Sequence, residues 1–119
     1  MKEKPENAID VLVLLDVGGL QDEEKMEKFL KRKSFKVVEG EKHVYTSFST
    51  TTLVTTKAFI LEIFKEALQK GGFENANLVF LLNETPYPPH YFDKSTGFFE
   101  EIDQNTQDTQ DNQETQKDI

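Results

Sequence analysis

An aspartate closing an apolar run is the first residue in this chain with evident chemical capacity. Asp16 follows Val11–Leu15 and stands just before Gly18-Gly19. A carboxylate at the carboxyl end of a buried strand suits a hard divalent ion such as Mg2+ or Mn2+, which takes oxygen donors and keeps several waters. One carboxylate is too few, so a metal site there needs the Asp16 of a second copy. The plainer role is a turn cap, with Asp16 accepting from a nearby backbone N–H. A second set is His43, Tyr45 and Ser47, which alternate along one strand face. A histidine beside hydroxyls could move protons on RNA without a metal. The same triplet is also what a half-solvated strand presents. Tyr45 alone is a thin stacking platform where single-strand RNA binders show two or three aromatics.

The third set is Thr85-Pro86-Tyr87-Pro88-Pro89-His90-Tyr91-Phe92. Tyr87, His90, Tyr91 and Phe92 make it a candidate binding segment, a docking peptide for an aromatic-lined groove. Alternatively it lies on its own domain or on a sister subunit, because its aromatics need cover. Its prolines exclude a helix or a central strand and favour an extended, polyproline-like path. Lys25, Lys28, Lys31, Arg32, Lys33 and Lys36 could meet phosphates, but Glu23, Glu24 and Glu27 balance them, so nucleic acid is not the favoured partner. A phosphate-binding P-loop, a histidine pair at metal spacing and a Gly-x-Ser-x-Gly elbow are all absent from the sequence.

The elements that must position these residues follow from patterning. Ile9–Val17 reads as a strand buried on both faces. Asp22 caps a helix with Glu23 and Glu24 in its first turn, Lys31 to Lys33 at its end, and an apolar stripe of Met26, Phe29 and Leu30. Phe35–Glu39 and Lys42–Ser49 flank Gly40-Glu41 as a hairpin. Thr-rich Ser49–Thr52 opens a helix from about Leu53 to Lys70, which Gly71-Gly72 ends. Ala76–Leu82 reads as another buried strand, and Gly97–Ile102 as a short fifth strand or a helical turn. The order βαββαβ predicts a ferredoxin-like α+β fold, an antiparallel sheet with both helices on one face. The other face then needs cover, from a dimer partner or from the C-terminal segment.

The net charge of −8 belongs mainly to the end of the chain: residues 100–119 hold seven acids and one base. From about residue 104 the sequence is too polar to bury a core, which predicts a disordered acidic tail. Residues 1–7 read as a flexible N-terminus and 8–103 as one domain, with 85–103 as its Pro/aromatic extension. With no cysteine, no apolar leader and no run long enough to span a bilayer, the expected setting is the cytoplasm, without membrane attachment.

Leu14-Leu15-Asp16-Val17, the helix ending Phe29-Leu30-Lys31-Arg32, and Ser34-Phe35-Lys36-Val37-Val38 leading to Val44-Tyr45 resemble VapD-type ribonucleases and the related small CRISPR-associated endonucleases. The resemblance spans about residues 9–82. It implies a ferredoxin-like dimer, a C-terminal strand reaching the partner, and Asp16 as the metal ligand. Leu15 stands where an aromatic is common, and Thr85–Phe92 has no counterpart in those families. Two functions follow as expectations. The first is a cytoplasmic binding or regulatory module, homodimeric or with a protein partner. The alternative is a small nuclease using Asp16 with Mg2+ or Mn2+, or His43 with Tyr45.

Overall fold

The computed structural model describes residues 7–102. The acidic tail and most of the flexible N-terminus expected from sequence lie outside the described residues. Among the described residues nine elements follow in order: β1 (Ile9–Gly18), α1 (Glu23–Arg32), β2 (Lys36–Val37), β3 (Val44–Ser49), α2 (Leu53–Gly71), β4 (Asn75–Leu82), β5 (Thr85–Pro86), β6 (His90–Asp93) and β7 (Phe98–Glu101). All strands join one antiparallel sheet in the order β2-β3-β1-β4-β6-β7, with β5 on β4. The chain is therefore α+β. Among the described residues no helix is long and apolar enough to cross a membrane.

Pairing registers explain the layers. Val11, Val13 and Leu15 of β1 stand opposite Leu82, Phe80 and Leu78 of β4, and Val13 also faces Tyr45 of β3. These side chains point to one face and form the core with Met26 and Leu30 of α1 and with Ile60, Phe64 and Leu68 of α2. The alternate residues point to the other face. There Leu12 and Leu14 align with Thr46 and Val44 on one side and with Leu81 and Val79 on the other. No described element covers this second face. The strand expected to be buried on both sides is buried on one, and Leu14 is 40% exposed.

Both helices carry the caps their sequences foretell. Asp22 accepts from the backbone N of Lys25 at 3.1 Å, and Thr52 accepts from Thr55 N at 3.1 Å. α2 stops at Gly72, which takes φ +74, a backbone shape that costs glycine little. The backbone N–H groups of Gln21 and Asp22 donate to the carbonyls of Gly72 and Gly71, each at 2.8 Å. The end of α2 thereby fixes the first turn of α1.

The Pro/aromatic segment departs from expectation. Instead of a polyproline-like path it makes β5 and β6, both paired to β4. Proline is compatible because Pro86 ends β5 and Pro88-Pro89 fall between the strands. β7 then pairs with β6, so the C-terminal residues widen the sheet at its β4 side rather than cover its open face. Three short strands are added where one was expected. A tight turn makes this possible: Asn83 and Glu84 both have positive φ (52° and 69°), the shape of a type I′ hairpin, and Asn83 Oδ1 accepts from Asp10 N at 2.9 Å.

Candidate functional site

The two proposed catalytic sets lie on opposite sides of the sheet. Asp16 is exposed on the open face, in register with Asn77 of β4, which in turn pairs with Tyr91 of β6. His43 and Tyr45 point to the helix side. The structure therefore does not bring Asp16 together with His43 or Tyr45.

Tyr45 is only 1% exposed and meets the edge of Phe64 at 5.5 Å, so it offers no stacking platform. The reason is register: opposite Val13 it must enter the core, while Val44, Thr46 and Phe48 take the helix-free side. Its hydroxyl reaches α1 and donates to Glu27 Oε2 at 2.6 Å. Burial, and then the hydrogen bond and negative charge of Glu27, raise the Tyr45 phenol far above its usual range, so it stays a donor. His43 sits just before β3 with φ +63, its carbonyl accepting from Leu15 N at 3.0 Å. Its Nε2 lies 3.1 Å from Glu23 Oε2. The four side chains Glu23, Glu27, His43 and Tyr45 thus converge at the first turns of α1. Sequence reading identified His43 and Tyr45 and missed the two glutamates. The available signal was their i, i+4 spacing beside Met26 and Leu30, which places both at the margin of the buried stripe.

Three of the four aromatic candidates in the Pro/aromatic segment are held by the domain itself. Tyr87 stacks on Phe80 (5.4 Å) beneath the Lys57 ammonium (5.2 Å). His90 is buried, stacks on Phe80 at 5.7 Å, and its Nδ1 lies 3.0 Å from the Pro88 carbonyl, which accepts if that nitrogen carries the proton. Burial is the main cause that lowers its pKa. Phe92 meets Phe73 and Phe99 edge-on at 5.1 and 5.3 Å. Tyr91 alone remains on the open face, 40% exposed.

That face carries a continuous row of apolar residues across three strands. Leu12, Leu14, Val44, Val79 and Leu81 form its centre, and Phe48, opposite Asp10, extends it. Asp10 and Asp16 lie at its ends and Lys36 at its β2 side, giving a rim of both signs. No family model, curated protein or solved structure matches this chain.

Proposed function

We propose that this chain is a small cytoplasmic binding module that works as a homodimer, two copies meeting through their helix-free sheet faces. In this reading the order β2-β3-β1-β4, with both helices on one side, is a ferredoxin-like unit that β5, β6 and β7 widen. The observation that carries the proposal is the exposure of Leu14 and Phe48, each 40%, amid Leu12, Val44, Val79 and Leu81 on a face no described element covers. Six strands about 4.8 Å apart, over some six residues of about 3.3 Å each, give on the order of 500 Å² in flat projection. Side-chain relief raises the accessible area towards the roughly 800 Å² per partner of a standard interface. An apolar centre with a rim of both charges suits a second copy of itself, stacked as aligned sheets. Light scattering on the full chain across a concentration series tests this. Twice the chain mass supports the proposal, and a monomer at every concentration rejects it.

Asp16 favours one second reading. It is exposed at one end of that same face, so a sheet-to-sheet dimer whose two-fold sets the two Asp16 ends side by side would supply the carboxylate pair a nuclease uses to hold Mg2+ or Mn2+. The likeness to VapD-type ribonucleases points the same way. Cleavage of RNA or DNA with either ion, abolished by Asp16→Ala in a folded protein, would establish it. No cleavage by the wild-type dimer would exclude it.

A further inference from the structure

We propose that Glu23, Glu27 and His43 form a binding site for a zinc ion, on the helix side of the sheet and separate from the dimer face. One donor atom from each residue lies within 4.8 Å of the others. Two carboxylates one helical turn apart and an imidazole from the approach to β3 are a mixed oxygen and nitrogen set. A purely oxygen set suits magnesium or calcium, whereas an imidazole nitrogen shifts preference towards zinc and its transition-metal neighbours. Two carboxylates with a neutral imidazole carry a charge of −2, which a divalent ion cancels. Bonds of about 2.0–2.2 Å to zinc require the three donor atoms to draw closer, a movement within reach of glutamate side-chain rotation.

The backbone holds the donors ready. Glu23 is the first residue of α1, behind the Asp22 cap and the two 2.8 Å bonds to Gly71 and Gly72. Met26 and Leu30, on the same side of that helix, are buried and fix its rotation. His43 is tied to β1 through its carbonyl, 3.0 Å from Leu15 N. Tyr45 supplies an outer contact: its 2.6 Å hydrogen bond occupies Oε2 of Glu27 and orients that carboxylate, as partners behind metal ligands do. Glu23 is exposed, so the ion has a route in from solvent. Three protein ligands leave a tetrahedral zinc one position for water or for a ligand atom. Without metal, the same 3.1 Å contact is a His43–Glu23 ion pair whenever the imidazole is protonated.

Titration of the full chain with zinc chloride in a weakly coordinating buffer, followed by calorimetry, tests the assignment. The expected result is one ion per chain, with affinity weakened at least tenfold in His43→Gln and in Glu27→Gln, both still folded by circular dichroism. Tyr45→Phe keeps the ligands and should weaken binding by roughly 10–100-fold, the usual range for an outer contact. Cobalt substituted for zinc should give visible absorption in the wild type that His43→Gln loses. No saturable binding by the wild type overturns the proposal. So does equal binding by a folded Glu27→Gln/His43→Gln double variant, which would place the metal elsewhere on an acidic chain. Should the single variants unfold, Glu23→Gln, at an exposed helix start, reads the same loss. The dimer measurement is independent, because these residues point away from the open face.

Discussion

Leu14→Asp separates the fold from the association proposed for it. Leu14 is 40% exposed in the isolated chain, in the middle of the central strand β1. Fully burying a leucine is worth about 1.5–3 kcal/mol, so covering the exposed two-fifths contributes about 1 kcal/mol per copy. Two-fold symmetry counts it twice, about 2 kcal/mol or roughly 30-fold in the dimer Kd. Aspartate removes this and adds a desolvated carboxylate from each copy, facing the partner's apolar centre, at a further cost of at least ~2 kcal/mol. The expected total weakening is on the order of 1,000-fold. In the monomer the three-fifths of Leu14 already buried is lost as well, so the domain itself should be destabilised by about 1–2 kcal/mol, β-propensity included, while staying folded. Sedimentation velocity and urea unfolding, run on both proteins, read the two effects separately. A dimer of unchanged affinity in Leu14→Asp would refute the placement of the interface. Unfolding of the variant under native conditions would show that Leu14 contributes more to the single chain than its partial burial accounts for.

Two further expectations concern the segment after β4. Glu84 holds φ +69 in a turn whose backbone suits glycine, so Glu84→Gly should stabilise the domain by about 0.5–1 kcal/mol, raising the urea midpoint at unchanged slope; a lower midpoint would contradict the turn assignment. His90 is buried with its pKa lowered, chiefly by burial and slightly by Lys57, against the opposing pull of its Pro88 contact, Glu101 and Glu100. The unfolded chain therefore takes up a proton near pH 6.5 that the folded chain refuses. Stability linked to His90 is complete above about pH 6.5 and is lost as pH falls through the lower folded value. Urea midpoints between pH 7.5 and 5 should fall less steeply in His90→Gln, and equal slopes would remove His90 from the account.

Much of the chain was legible because its signals were local. Asp22 before two glutamates and the Thr-rich run before Leu53 are helix starts, and Gly72 is a stop, all decided within a turn of the backbone. β1 and β4 declared themselves as apolar runs too short for helices. What stayed hidden depends on pairing. The turn that starts the widened sheet is Asn83-Glu84, which lacks the glycine that usually marks a two-residue hairpin. Three prolines within residues 85–92 argued against strands, yet each falls where no ladder N–H is needed. The side on which Tyr45 lies follows from its facing Val13, a contact that strand alternation alone does not fix. The zinc-site glutamates resembled ordinary dipole-matched residues until His43 was brought beside them.

The central place of β1 has a consequence for how the chain comes to be folded. Val13 pairs with Phe80, about 67 residues later in the chain. At the roughly 5–20 residues per second of protein synthesis, β1 waits about 3–13 s for that neighbour to be made. Until then the Val11–Leu15 run can have β3 on one flank, with its other flank unpaired. The interval is a window for wrong pairing between nascent chains, one that closes only when β4 arrives and to which the later hairpin of β6 and β7 contributes no protection.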